Sequence, residues 1–369
     1  MRVLVLSASY GSGHNAAAQS VAAALTAAGA SVRVVDHFRD LVHPLFDGVT
    51  RGVYGALLRH APALWGLGYG LGDRMASDSP WACGVTRLGA RGLRRLLDAL
   101  APDAIVTVHA TPAVVLATLA REGRRMPPHT TVVTDFVAHS QWIAPRVDRY
   151  CVAAEEVKHE FVARGIAADR VVVTGVPVRA DFEAPLDPQG ARQALGLSPD
   201  LPVVLAMAGA QGSFGRLTDV ARALTRLGTP VQGIVLAGHD HRLAEEIRRV
   251  TAGRTLRTLG FVADVRRYME AADLLVSKAG GMTLAEAMAA EVPLLTYGSL
   301  PGQERRNERF ASRVGVALVA RRRRDLGRAL ERALSEPKLL ERLREQMRRL
   351  RRPDASRHIA NLVLGRAVD

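Results

Sequence analysis

Lys278-Ala279-Gly280-Gly281-Met282-Thr283 is followed by Glu286 and then by Pro301-Gly302-Gln303-Glu304 and Asn307, a set of residue types suited to holding a nucleotide sugar. Leu274 to Ser277 is a short apolar run that predicts a buried parallel strand, the paired glycines permit a tight turn, and Met282 to Ala290 has helical composition. Amides at such a helix start carry partial positive charge and have no partner inside the helix, so a diphosphate fits there. Glu286, one turn in, would reach a pair of ribose hydroxyls. The apolar run Val292 to Thr296 then delivers Gln303, Glu304 and Asn307 to what should be the same sheet edge, where polar groups converge for a sugar. Taken alone, Gly280-Gly281 is equally well an ordinary structural turn.

A second candidate is Gly11-Ser12-Gly13-His14, directly after the apolar run Val3 to Ser7. A dinucleotide fingerprint needs a further glycine three residues on, and position 16 is Ala, so that pattern is incomplete although Asp36 stands at the end of the next strand. A histidine on a strand-to-helix turn suits a general base, because neutral imidazole takes a proton from a hydroxyl near pH 7. A loop histidine that only caps the helix is the competing reading. The third candidate is Thr134-Asp135-Phe136 with His139 and Trp142, where Asp135 and His139 follow a strand end and would orient His14 or an acceptor. The alternative for Asp135 is a capping role in a turn.

These three motifs, in their order along the chain, resemble the diacylglycerol glycosyltransferases, the family of the monogalactosyldiacylglycerol synthases and the processive diacylglycerol glucosyltransferases of bacteria. More distantly they are similar to the peptidoglycan N-acetylglucosaminyltransferase. The resemblance spans residues 2 to 315. It implies an α/β chain of the GT-B fold, two facing Rossmann-like doubly wound domains with a cleft between them. It implies His14 as catalytic base, assisted by Asp135 and His139, with Gly11, Ser12 and Gly13 forming an acceptor loop. A UDP-sugar would place uracil at Phe261 and Val262 and ribose at Glu286. Its diphosphate would lie at Gly280, Gly281 and Thr283 and the loop Gly209, Gln211, Gly212 and Ser213, with the hexose at Gln303, Glu304 and Asn307 and with Lys278 in the same donor-binding set. In one departure, Ala208 to Gly212 is less glycine-rich than the family's loop. Retaining GT-B enzymes often pair two glutamates eight residues apart, whereas Leu294 stands eight after Glu286. Direct displacement with inversion is therefore the expected chemistry.

The chain of 369 residues suits two α/β domains. Alternating apolar runs and helical patterns predict a first doubly wound sheet closing near residue 180 and a second over 181–354, joined by a Pro- and Gly-rich linker from Pro177 to Pro202. The tail 355–369 is expected to pack back on the first domain. A net charge of +14 predicts attraction to polyanions, meaning anionic lipid head groups, nucleotides or nucleic acid. Aromatics are only 5% of residues and do not interleave with the arginines, which counts against a nucleic-acid-binding protein. Cys83 and Cys151 lack metal-ligand spacing and fit a reducing compartment. The apolar start is too short for a signal segment and no run reaches membrane-spanning length, so a cytoplasmic protein peripheral on the inner face of the cell membrane is expected. The stripe Val42, Leu45, Phe46, Val49, Val53 and Leu57, continued by Leu64, Trp65 and Leu67, makes Phe38 to Leu71 the candidate membrane contact, with packing on its own domain as the alternative.

The expected partners are thus a UDP-sugar, a lipid acceptor and an anionic membrane surface. A UDP-N-acetylglucosamine 2-epimerase would share fold and nucleotide cleft and is the alternative activity, while the hexose and the oligomeric state are left open. The chain has no Asp-x-Asp, so no metal is expected and helix-end amides would stabilise the leaving diphosphate. Product formation should survive excess EDTA; abolition by EDTA with rescue by Mn²⁺ would contradict this.

Overall fold

The computed structural model describes residues 1–8, 12–42, 89–209, 216–252 and 256–367. The chain divides into two compact units, Met1–Arg179 with Arg352–Asp369, and Ala180–Arg351. In the first unit six strands form one parallel sheet: β1 (Arg2–Ser7), β2 (Ser31–Asp36), β3 (Ala104–Thr107), β4 (His129–Val132), β5 (Arg149–Val152) and β6 (Val171–Val173). Their order is β2-β1-β3-β4-β5-β6. The second unit repeats the plan with β7 (Val203–Met207), β8 (Gln232–Leu236), β9 (Leu256–Leu259), β10 (Leu274–Ser277), β11 (Leu294–Tyr297) and β12 (Ala317–Ala320). Here the order is β12-β11-β10-β7-β8-β9.

Strands buried on both faces read as continuous apolar runs, and the pleat sends alternate residues to opposite cores. Val3 and Val5 pack with Ala18, Val21 and Leu25 of the helix Ser12–Ala27 and with Ile359 and Val363 of the helix Ala355–Val363. Leu4 and Leu6 point the other way, onto Leu93, Leu97, Leu116 and Leu119. The last helix is therefore a constituent of the first unit's core, fastened by Arg149, which donates to Leu362 O (2.9 Å), and Arg366, which donates to Ala28 O (2.8 Å).

Several boundaries differ from the sequence expectation. The helix after β1 begins at Ser12, so Gly13, His14 and Asn15 lie in its first turn and not in a loop. Glycine disfavours helix interiors but costs little in a first turn whose amides have no helical partner. Strand β12 was not among the expected strands, although Val316 to Ala320 is an apolar run. The linker contains a helix of its own, Pro188–Ala194, capped by Asp187 accepting from Gly190 N (2.9 Å). It is anchored by Arg192 to Asp273 (2.6 Å), which also accepts from Val203 N (2.8 Å) and pairs with Arg344 (3.6 Å). Of the candidate membrane segment, only Phe38 to Val42 is described: Phe38 is buried in the turn His37–Val42. Val49, Val53, Leu57, Leu64, Trp65 and Leu67 lie outside the described residues.

His129 opens β4 inside the sheet. Its Nε2 lies 3.0 Å from Thr107 Oγ1, and burial pushes its pKa from 6.5 to about 3. Its folded pKa is below its unfolded one, so the unfolded chain gains the proton first as pH falls. Stability should therefore decline from pH 6.5 towards 3 by about 1 kcal/mol per pH unit from this residue. Urea melts across that range should show a shallower decline in His129→Gln; identical slopes would exclude His129 as the source.

Candidate functional site

In each sheet the first strand has neighbours on both sides whose connections leave to opposite faces, and a crevice opens at the carboxyl ends of such a pair. In the first unit the pair is β1 and β3. Ser7, the last residue of β1, donates its hydroxyl hydrogen to Asn15 Oδ1 (2.5 Å), tying the helix's first turn to the strand end. His14, half-buried in that turn, directs Nδ1 at Val108 O (2.9 Å), just past β3, and at Thr134 Oγ1 (3.1 Å), just past β4. A carbonyl can only accept, so Nδ1 carries the proton and the lone pair is on Nε2. Burial lowers the His14 pKa below 6.5; the nearby Asp135 charge and the Val108 hydrogen bond oppose this without cancelling it. His14 is therefore neutral at pH 7.

Asp135 and His139 lie close to His14 but do not bond to it in the contacts described above. Asp135 is 1% exposed and accepts from Trp142 Nε1 (3.0 Å), with His139 Nε2 at 3.9 Å from the same oxygen. Trp142 in turn stands 6.2 Å from His14, ring centre to ring centre. Thr134 and His109 also reach His14; Thr134 stands in the third motif, whereas His109 was not among the expected site residues. His109 caps the helix Ala110–Arg121 and meets the His14 ring edge-on at 4.7 Å. A histidine directly after an apolar run was the available signal; that this run lies beside β1 was not.

In the second unit the corresponding pair is β7 and β10. Gly280 caps the helix Gly281–Ala289 and no side chain takes that place. The first helical bond runs from Leu284 N to Gly280 O (2.9 Å), which leaves the amides of Gly281, Met282 and Thr283 without an intrahelical acceptor. Glu286 follows on the same helix, half-buried. The Gln303-Glu304-Asn307 group is stapled to this turn. Lys278 Nζ lies 2.7 Å from Glu304 Oε1, and Glu304 Oε2 accepts from Leu300 N (2.9 Å). Asn307, fully buried, donates to Ala279 O (3.3 Å), and Ala279 N donates to Ser299 Oγ (3.2 Å). Gly302 begins the helix Gln303–Arg313 at φ 98°, where a side chain would be strained, so its lack of Cβ is what lets Gln303 and Glu304 enter the first turn. Asn307 is thus buried, whereas Gln303 and Glu304 are both half-buried. Phe261 is 52% exposed and stacks on His239 with ring centres 4.3 Å apart and planes 11° from parallel; Val262 is beside it. Gly209 ends β7's loop entry at φ 74°, while Gly11, Gln211, Gly212 and Ser213 lie outside the described residues, as does the Ser12 side chain.

Residues 14–178 match the sequence model of monogalactosyldiacylglycerol (MGDG) synthase, and residues 200–350 that of glycosyl transferases group 1. The chain is a glycosyltransferase. Its resemblance to the diacylglycerol glycosyltransferases holds over both halves: a processive diacylglycerol beta-glucosyltransferase of Bacillus thuringiensis is 28% identical over 98% of this chain and 93% of its own. The enzyme has the GT-B fold, aligning with Acinetobacter baumannii MurG at a TM-score of 0.67 and 16% identity over 99% of each chain. The UDP-GlcNAc 2-epimerase of Neisseria meningitidis shares the fold at a TM-score of 0.63 and 13% identity over 99% and 100%. Fold alone does not separate transferase from epimerase; the two family matches favour the transferase.

Among the described residues, no helix is long and apolar enough to cross a membrane, and no three His, Cys, Asp or Glu side chains group as metal ligands. The Lys278–Glu304 pair is mostly shielded from water, with side chains 18% and 16% exposed. A double-mutant cycle with Lys278→Met and Glu304→Gln should return a coupling of about 0.5–3 kcal/mol in unfolding free energy. Additive effects would mean the pair does not join the two halves of the motif.

Proposed function

We propose that the enzyme transfers a hexose from a UDP-sugar to diacylglycerol or a glycosyl-diacylglycerol, with inversion at the anomeric carbon. The name of the Bacillus relative makes UDP-glucose the first donor to test. In this reading His14 Nε2 removes the hydroxyl proton as the acceptor oxygen forms its bond to the anomeric carbon. The bond from that carbon to the β-phosphate oxygen breaks, its electron pair leaves with UDP, and an α-linked donor gives a β-linked product. The observation that supports this most is the hydrogen bond from His14 Nδ1–H to Val108 O, which orients the ring and keeps a lone pair on Nε2.

On the second unit, the uncapped amides of Gly281 to Thr283 suit the diphosphate, with Glu286 on the ribose hydroxyls and Phe261 and Val262 near the uracil. Lys278, paired with Glu304, sits beside that turn, and Gln303 and Glu304 are the members of their group with surface left for a hexose. Gly209 suits the far side of the diphosphate. Asp135 and His139 act through the field and packing around His14. A lipid acceptor requires work at a membrane face, and a charge of +14 favours one rich in anionic lipid.

His14→Ala should lower turnover by about 10²- to 10⁴-fold at saturating donor while UDP affinity is kept. In the wild type, the acid limb of kcat/KM should fall below pH 6.5, because burial lowers the pKa of the base. Wild-type rates in the variant, or an acid limb above pH 6.5, would remove His14 from this role.

A further inference from the structure

The two imidazoles at the end of β1 and β3 are locked in opposite tautomers. Val108 O holds the proton on His14 Nδ1 (2.9 Å). The next residue, His109, receives the backbone N–H of Thr111 on its own Nδ1 (3.1 Å). An amide can only donate, so His109 Nδ1 bears the lone pair and its hydrogen is on Nε2. One ring therefore offers an acceptor and the other a donor, edge-on with centres 4.7 Å apart, and both retain surface where Asp135, His139 and Trp142 do not.

We propose that His109 Nε2–H donates to the oxygen of the acceptor hydroxyl and so aims that hydroxyl's own hydrogen at His14 Nε2. This rests on His14 being the base. His109 occupies one lone pair of the acceptor oxygen, leaving another to attack the anomeric carbon, and the proton passes to His14 alone. His109 cannot compete for it: its only lone pair is held by Thr111 N–H, and the ring remains neutral. Burial first, and then the neighbouring His14, His37 and His139, keep its pKa well below 6.5, and the nearest carboxylate in this group, Asp135, is bonded to Trp142. Discrimination follows, since an acceptor whose reactive group lacks a second lone pair loses the contact.

Two substitutions in the full-length enzyme separate this from a merely structural role. His109→Asn places an oxygen near the Nδ1 position, where it can still cap the helix through Thr111 N–H, and removes the donor. His109→Gln carries an N–H near the Nε2 position and gives up the cap. With dioleoylglycerol in detergent micelles and saturating donor, His109→Asn should keep the wild-type Tm and UDP affinity but lose about 10- to 100-fold in acceptor kcat/KM. His109→Gln should have the lower Tm and the higher activity of the two. The reverse ranking, or wild-type activity in His109→Asn beside an inactive His14→Ala, would overturn the proposal and leave the base reading standing. An active His14→Ala would overturn both.

Discussion

Strands that all run one way leave every carboxyl end on one edge of the sheet, and the connections of neighbours part only where the order reverses. In the first sheet that place is β1 beside β3; in the second it is β7 beside β10. Both chemical groupings stand there. The backbone groups freed at these ends, Val108 O in one and the amides of Gly281 to Thr283 in the other, are the polar contacts on which each grouping is built. Core packing on both faces of β1 sets where His14 falls, because the helix that carries it is fixed by Ala18, Val21 and Leu25 against Val3 and Val5.

The two groupings use opposite electrostatics. Around His14 the surroundings are buried and burial keeps His14 and His109 neutral, so the hydrogen bonds of His14 itself run to a carbonyl and a hydroxyl. A buried imidazolium would be costly at rest, and the Asp135 charge offsets part of that cost when a proton arrives. At the turn after β10 the contact is an ion pair: Lys278 and Glu304 lie 2.7 Å apart beside a helix end whose partial charge is positive. A diphosphate would meet a turn already organised by an ion pair, with little rearrangement of side chains needed.

The arginines that dominate the composition are chiefly an outer layer. In the helix Pro337–Leu350, Leu339, Leu340, Leu343 and Met347 face the core, while Arg348 reaches Glu291 (2.7 Å) and Glu341 (2.9 Å). Such partly exposed pairs add little stability each. Arg192 and Arg344 on Asp273 differ, because that carboxylate also holds the start of β7 through Val203 N.

Much of the enzyme was legible without coordinates, and the reason is locality. The Lys278-to-Glu286 motif is a single strand, turn and helix, so its chemistry follows from residues that are neighbours in sequence. The alternation of Val3, Leu4, Val5 and Leu6 specifies a strand buried on both faces, and their repetition specifies two parallel sheets. Strand order is not local. The sequence has no means of saying that Val108 and His109 end the strand beside β1, so these two neighbours of His14 were invisible, whereas Asp135, whose charge also acts on His14, stood in a legible motif. Asn307 shows the same limit from the other side: its type and spacing suit a sugar ligand, and only the structure shows that it is buried and donates to Ala279 O. Residue types and local periodicity determined which chemistry the chain carries and on which kinds of turn. Tertiary structure decided which of those polar groups are buried and which backbone and side-chain groups they bond, because burial and hydrogen-bond partners depend on which strands become neighbours.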